Sequence, residues 1–464
     1  AVSGKTSADT AGSKNPLEKT IARNAETDQK VSETFYNNDR GKGNEVVDYS
    51  YSYDADGKLT GKTVYFYGST NGEYLPADDD NLKVDYPMTK TVTYKAVNGV
   101  LTTTIQGETF YETRWGKGYE LADYTLTYNS AGTAVKEVTK NYYGMSNLDG
   151  TIMNMGLTTD AVDTEGKFLL TNPMSRLLRT LTYRQSDTVP VAANLVSETV
   201  YHVGDNLDRR DKGEEVAWYR KEYSKGKAIA KNTTIFGYVY FDGETEYTVM
   251  ANQGLEITSK TLMSVSVTFD GEVPDNNIYY LEDKGEPFAD LTSALISHRR
   301  KSRTVYSTTY VVGEETKSRI KGQEVADFTE IYDHSGANVR TVSINYYEDP
   351  ATPGVIVGQR AAYAGSSWCL RRTVSLKDSE ADDSDDVVKF SGTLVSVNIY
   401  DTKFGKGEEL LSYSDNYSQV FIDDADTADY AVTLFRNYGK SRTTYMYGTS
   451  TGDVGSKTGD LEES

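Results

Sequence analysis

A single cysteine, Cys369, stands among 464 residues, which excludes a disulfide within the chain and a zinc site built from cysteines. The three histidines, His202, His298 and His334, are far apart and share no metal-ligand spacing. No run of about 20 apolar residues occurs, so no transmembrane helix is expected. Proline is scarce, at 9 residues against 39 glycines, and little therefore interrupts extended chain. Positive charge is in the minority: 49 Lys and Arg against 69 Asp and Glu, a formal charge of −20. That balance repels nucleic acid and anionic lipid, and it suits solubility, cation binding and life outside a cell. There is no Gly-x-Ser-x-Gly, no His–Glu metal pair and no phosphate-binding glycine loop.

Tyrosine is what the chain has in excess, 37 residues against 13 Phe. With the many threonines, it favours strands that keep one wet face. The tyrosines fall into a phrase that occurs five times. Its copies are Lys42-Gly43-Asn44-Glu45-Val46-Val47-Asp48-Tyr49, Lys117-Gly118-Tyr119-Glu120-Leu121-Ala122-Asp123-Tyr124 and Lys212-Gly213-Glu214-Glu215-Val216-Ala217-Trp218-Tyr219. Two more are Lys321-Gly322-Gln323-Glu324-Val325-Ala326-Asp327-Phe328 and Lys406-Gly407-Glu408-Glu409-Leu410-Leu411-Ser412-Tyr413. Ten residues after each glycine stands a further tyrosine: Tyr53, Tyr128, Tyr223, Tyr332 and Tyr417. Recurrence of this kind marks a repeat protein.

The phrase reads as a strand entered through a glycine whose backbone needs positive φ or a close approach. Strict alternation puts Glu45, Val47, Tyr49, Tyr51 and Tyr53 on one face, to be buried. Asp48, Ser50 and Ser52 fall on the other, wet face, as does Asp123 in the second copy. Around each phrase three more strands are expected: Lys19 to Ala25, Ser32 to Tyr36 and Thr63 to Gly68 in the first unit, with counterparts in the others. The Asp-Gly step in Asp54-Ala55-Asp56-Gly57-Lys58 is a hairpin signal between the third and fourth.

The expected fold is all-β: five tandem units of about four antiparallel strands in an elongated repeat array, with a β-propeller as the alternative. The divisions are a flexible arm over 1–16, units over 17–75, 76–150 and 151–244, a degenerate or inserted unit over 245–292, units over 293–350 and 351–450, and an acidic tail over 451–464. The degenerate copy is Lys284-Gly285-Glu286-Pro287-Phe288-Ala289-Asp290-Leu291, and Asp290 to Ser302 is the best helix candidate.

Each cluster with chemical promise also has a structural reading. The five glutamates (Glu45, Glu120, Glu215, Glu324, Glu409) invite thoughts of carboxylate catalysis. Equivalent positions in successive repeats instead form a ladder, which the preceding lysines can pair. The acidic runs Asp78-Asp79-Asp80, Asp382-Asp383-Ser384-Asp385-Asp386 and Asp423-Asp424-Ala425-Asp426 offer hard oxygen ligands for calcium, but none has an EF-hand pattern. No other cofactor is expected. Asn232-Thr233-Thr234 and Asn416-Tyr417-Ser418 match the glycosylation triplet. Cys369, beside Trp368, reads as a packed thiol, and Met145 to Met155 as a loop.

The hairpin Tyr53-Asp54-Ala55-Asp56-Gly57-Lys58-Leu59-Thr60 resembles the YD repeats of Rhs-type bacterial cell-surface β-proteins. Tyr332-Asp333-His334-Ser335-Gly336 and Tyr128-Asn129-Ser130-Ala131-Gly132 follow the same outline, whereas Tyr223-Ser224-Lys225-Gly226 departs from it. The resemblance implies a secreted or surface β-structure whose successive hairpins extend one sheet. It covers only the third and fourth strands of three units, and bears on fold rather than on toxin delivery.

With no active site in view, the expected function is that of a structural subunit. It would form an extracellular self-assembling polymer, either a surface filament or a surface layer. A weak first strand and the absence of a recognisable cap lead to head-to-tail joining by N-terminal strand addition, with the chain itself as partner. The alternative is a secreted adhesin or glycan-binding protein whose exposed aromatics stack on sugars.

Overall fold

The computed structural model describes residues 15–23, 28–54, 57–70, 72–97, 99–144, 175–184, 194–203, 210–242, 245–252, 257–275, 278, 298–312, 315–349, 358–382, 388–402, 406, 409–422 and 439–445. They form an all-β protein with antiparallel pairing throughout. The chain divides into two compact units, one of residues 1–141 with 162–175, the other of residues 142–161 with 176–464.

In the first unit the strands are β1 (Lys19–Arg23), β2 (Lys30–Asn37), β3 (Val46–Tyr53), β4 (Leu59–Tyr67), the two-residue β5 (Leu75–Pro76), β6 (Met88–Val97), β7 (Val100–Glu112), β8 (Leu121–Tyr128) and all but the end of β9 (Val135–Gly144), whose residues from 142 on belong to the second. Each pairs with its sequence neighbour, except that β5 sits against the end of β4 while β6 continues the ladder from β4. A small core lies here: Val46, Tyr67, Ala77 and Leu82 are buried together.

The second unit holds β10 (Arg176–Arg184), β11 (Leu195–His202), β12 (Val216–Tyr223), β13 (Ala230–Asp242), β14 (Thr245–Met250), β15 (Met263–Asp270), β16 (Arg300–Ser307), β17 (Thr309–Val312), β18 (Glu315–Ser318), β19 (Val325–Tyr332), β20 (Val339–Glu348), β21 (Cys369–Asp382), β22 (Lys389–Asp401), β23 (Leu410–Ile422) and β24 (Gly439–Thr444). The ladder runs β10–β11–β12–β13–β15–β16–β19–β20–β21–β22–β23–β24. Two hairpins stand outside it: β14 returns on β13, and β17 pairs with β18 alone. Larger cores form here, one around Trp218, Tyr219, Ile235, Met250, Val267 and Phe269, another around Ile344, Val374, Leu376, Leu394 and Val397.

The blades of a propeller would be separate sheets, but β4 is hydrogen-bonded to β6, β13 to β15 and β20 to β21. Among the described residues β1 pairs only with β2 and β24 only with β23, so the sheet is open and the propeller alternative falls.

The first strand is described over Lys19–Arg23, and its expected end at Ala25 lies outside the described residues. Two local expectations need correction. The helix expected from Asp290 is a strand at its far end, since Arg300 to Ser302 belong to β16. Its remaining residues up to 297, the degenerate phrase 284–291 and the run 145–155 lie outside the described residues.

The second correction concerns the faces of the phrase strand. Phe35 faces Tyr49, yet Tyr36 faces Val47, which leaves Asp48 as an extra residue. The same step skips Asp123, Trp218, Asp327 and Ser412. A bulge of this kind turns two successive side chains to one side and shifts the alternation by one. Burial follows the shifted register: Val216, Trp218, Tyr219 and Lys221 are buried, as are Val325, Asp327, Phe328 and Tyr332. The aspartates expected on the wet face therefore share the covered side with the aromatics. Burial pushes the carboxyls of Asp48 and Asp123 above their ordinary range. Glu45 lies before the strand and not in its face.

Candidate functional site

Every phrase strand is the third of four consecutive neighbours: β1 to β4, β6 to β9, β10 to β13, then β15, β16, β19, β20, and finally β21 to β24. Entry to it is a tight turn. The amide of Asn44 donates to Gly41 O at 3.1 Å, and its equivalents are Tyr119 to Gly116 (3.2 Å), Glu214 to Asp211 (2.9 Å) and Gln323 to Ile320 (2.9 Å). The phrase glycine is third in each turn, with φ of +84° at Gly43, +85° at Gly118, +89° at Gly213 and +82° at Gly322. That is type II geometry, which only glycine adopts at little cost. Gly407 and Glu408 are outside the described residues. A Cβ at any of the four would meet nothing within 4 Å, so the backbone alone demands glycine. Gly118→Val and Gly213→Val should each lose about 1–2 kcal/mol, read as a lower melting temperature. Variants as stable as the parent would remove the argument.

The phrase glutamate is a clasp. One oxygen accepts the amide of its own turn glycine: Gly43 to Glu45 at 2.8 Å, Gly118 to Glu120 at 2.9 Å and Gly213 to Glu215 at 2.8 Å. The other oxygen reaches the start of the first strand of its set. It accepts the amides of Leu17 (2.8 Å), Met88 (2.9 Å) and Leu177 (2.9 Å) for Glu45, Glu120 and Glu215. Glu324 takes Met263 N–H at 3.0 Å and Glu409 takes Leu370 N–H at 2.9 Å. The Leu17 amide is also the chief reason the Glu45 carboxyl sits below its ordinary range. The preceding lysines differ in their partners. Lys117 and Lys406 donate to the carbonyls of Val84 and Ser366, both at 2.6 Å, and Lys321 pairs with Glu324 at 3.9 Å. Glu120→Ala should cost about 1–3 kcal/mol, because it strips two backbone amides of their acceptor; chemical denaturation of the variant checks this. A loss no larger than that of an exposed surface substitution would mean water replaces the clasp.

A second shared device escaped the sequence reading. Arg40, Arg210 and Arg319 each stand three residues before a phrase glycine. Arg40 donates to the carbonyls of Leu82 (3.1 Å), Ala77 (2.8 Å) and Asp79 (2.6 Å). Arg210 donates to Ala251 O at 2.9 Å, and Arg319 to Ala361 O and Ala364 O, both at 2.7 Å. The guanidinium fork thus pins the connector that leaves the fourth strand. Extending the phrase backwards by three positions exposes this arginine in three of five copies. In the second copy that place is Trp115.

The carbonyl just before four of the five bulges is taken by a fourth-strand side chain. Tyr67 Oη donates to Val47 O at 2.7 Å, and Asn141 Nδ2 to Ala122 O at 2.9 Å. Tyr238 Oη donates to Ala217 O and Tyr347 Oη to Ala326 O, both at 2.5 Å.

The closing tyrosines have partners too. Tyr53, Tyr128 and Tyr223 donate to Glu33 (2.6 Å), Glu108 (2.6 Å) and Glu198 (3.1 Å) on the second strand. Those carboxylates also meet Lys19 (3.1 Å), Lys90 (2.9 Å) and Arg179 (3.2 Å) on the first. The Tyr53 hydroxyl, ahead of Lys19 and Lys30, lowers the Glu33 carboxyl to about 2. Burial and then the Glu108 carboxylate raise Tyr128 to about 12. A raised phenol contributes stability that is complete below its ordinary value of 10 and is lost as pH climbs through about 12. A depressed carboxyl contributes stability present above 4.5 and lost as pH falls toward about 2. Stability should therefore decline between pH 10 and 12, in step with phenolate absorbance, and less so in Tyr128→Phe. An unchanged alkaline limb in that variant would sink the assignment.

The remaining candidates are structural or undescribed. Tyr49 and Tyr124 stack on Phe35 and Phe110 at 4.7 and 4.6 Å between ring centroids. Tyr413 lies beneath Arg442 at 4.4 Å. Asn232 is buried and bonded to Lys301 and Glu222, which closes it to glycosylation in the folded chain. Asn416 lies in β23 and donates to Ser441. The Cys369 thiol is buried and directed at Thr402 O. Asp79 caps its own loop through Asn81. No group of three or more His, Cys, Asp or Glu is placed to hold a metal among the described residues, and 383–386 and 423–426 lie outside them. No helix is long and apolar enough to cross a membrane among the described residues.

Two strands of the ladder have one paired neighbour each among the described residues: β1 and β24. Thr20 to Arg23 of β1 are exposed, Ile21 at 45%, and all of β24 is exposed.

No protein-family model matches this chain, and no curated protein matches it. Among solved structures, a crystal structure of TcdB2-TccC3-Cdc42 aligns with 80% of this chain at 10% identity and a TM-score of 0.22. The alignment spans 21% of that chain, so the match covers about a fifth of its length. The N-terminal domain of the effector protein SpvB from Salmonella typhimurium strain LT2 aligns over 70% of this chain and 99% of its own, at 13% identity and a TM-score of 0.17. A porin-like protein from Bacteroides uniformis ATCC 8492 aligns over 81% and 96%, at 9% identity and a TM-score of 0.15. Likenesses at these scores carry no argument about fold or function.

Proposed function

We propose that this chain is a structural subunit of an extracellular polymer, a surface filament or layer, whose copies join head to tail through strand addition. Five four-stranded units, each locked by its own phrase, make up the subunit in this reading. The observation that supports it is that, among the described residues, β1 pairs only with β2 and β24 only with β23. Exposed edges pair with further chains unless blocked. A joint that repeats one operation without closing produces a fibre. The clasps, arginine forks and tyrosine bonds hold each set of strands to its connectors, and a polymer under tension needs that rigidity.

The test is electron microscopy of the purified protein beside a variant lacking residues 1–27, whose retained β-sheet circular dichroism shows that it folds. Filaments or ordered layers should form with the full chain and fail with the truncated one. Identical polymers from both would dismiss strand addition. A full-length protein that stays monomeric under all conditions would dismiss the polymer, and the secreted adhesin or glycan-binding reading would take its place.

A further inference from the structure

The ladder repeats one joint inside the molecule, and that joint sets a register for any joint between molecules. Three times the fourth strand of one set meets the first strand of the next: β4 with β6, β13 with β15 and β20 with β21. In each, the first strand is located by the amide that its glutamate clasps, at Met88, Met263 and Leu370. Four residues beyond stand Val92, Val267 and Val374, opposite Val64, Ile235 and Ile344. Across their own hairpins those three residues face the phrase aromatics Tyr49, Tyr219 and Phe328. The rule is the same in all three, and the valines are buried.

Applied to the two free edges, the rule names a pair. Glu45 clasps Leu17, and four residues beyond is Ile21. Tyr413 faces Thr444. We propose, resting on the head-to-tail reading above, that the partner of each free edge is a second copy of this chain, with β24 of one copy antiparallel to β1 of the next and Thr444 opposite Ile21. The neighbouring pairs are then Tyr445 with Thr20 and Thr443 with Ala22. Tyr445 with Thr20 repeats the internal pairs Tyr65 with Thr91 and Phe236 with Ser266. Arg442 meets Arg23, but each already has an acid, Asp415 at 2.5 Å and Asp28 at 3.6 Å. Burial agrees with the assignment: Val92, Val267 and Val374 are 4%, 0% and 0% accessible, whereas Ile21, in the same place on β1, is 45% accessible. Among the described residues it is an internal position without its next strand.

The lone cysteine makes the test clean. In a Cys369→Ser background, one preparation carries Ile21→Cys and another Thr444→Cys; the two are mixed under mild oxidation and the linked peptides identified by mass spectrometry. With one thiol per chain, no link can form within a copy. Lys19→Cys and Arg23→Cys, each mixed with Thr444→Cys, shift the register by two, and circular dichroism confirms that every variant folds. The expected result is a 21–444 link forming about tenfold faster than 19–444 or 23–444, because diagonal neighbours are too far apart to bridge. Equal rates at the three offsets, or a faster link at another, would overturn the register while leaving head-to-tail joining in place. No link at any offset, with no polymer by microscopy, would overturn both.

Discussion

Replacing Arg360 by alanine is expected to cost about 3–5 kcal/mol, as breaking a buried ion pair from one side does. Arg360 is 3% accessible, and its guanidinium holds Asp327 by two bonds, 2.9 Å from Nε and 2.7 Å from Nη2. A third bond, 3.0 Å, goes to Val388 O. The aspartate is the bulge residue of the fourth phrase, so removing the arginine strands a carboxylate on the covered side of β19. Arg360→Lys should recover only part of the loss, since an ammonium cannot make the two-pronged contact. Pairing Arg360→Ala with Asp327→Asn should be milder than Arg360→Ala alone, because no charge is then left buried. Denaturant titration of the variants decides it. A single mutant within about 1 kcal/mol of the parent would show that water reaches the site and the pair behaves as an exposed one.

A loss of the same size is expected at Trp218→Ala, about 3–5 kcal/mol for deletion of a large aromatic from a core. Trp218 is 2% accessible and packs edge-on against His202 and Tyr219, with centroids 5.5 and 5.6 Å away. It occupies the bulge position that is aspartate in three other phrases and serine in the fifth. Copying the aspartate into it should be worse than alanine, because Trp218 shares its core with Tyr238, Met250, Ala251 and Ile257, where a carboxylate is costly to bury. Thermal unfolding of Trp218→Asp beside Trp218→Ala checks this. If aspartate is as well tolerated as alanine, the phrases are interchangeable at that place and the local core is not what sets the residue.

These two sites show how far the sequence could be read. The recurrence of the phrase, its strand character, the hairpin at Asp54 to Lys58 and the all-β class all rest on local chemistry. A glycine before alternating residues, or an Asp-Gly step between them, acts through neighbours a few positions away. The bulge does not. Whether Asp48 joins or opposes Tyr49 depends on a residue of β2 lying opposite, and strict alternation gave the wrong face. The glutamate clasp was equally hidden, since Glu45 and Leu17 are 28 residues apart and Glu324 and Met263 are 61 apart. The arginine forks left a trace at a constant offset from the glycine, but their acceptors are backbone carbonyls, which carry no signature in the amino-acid code.

By itself, then, the sequence determined the strand-forming phrase, its glycine turn and the repetition of both, because these are decided within one turn or one pleat. It also determined a chain with a large excess of acid and a single thiol. Only the tertiary structure decided which side of each strand is covered, what the phrase glutamate holds and which register joins one set of strands to the next. Those depend on pairing between distant segments, and one extra residue in a ladder reverses every face beyond it.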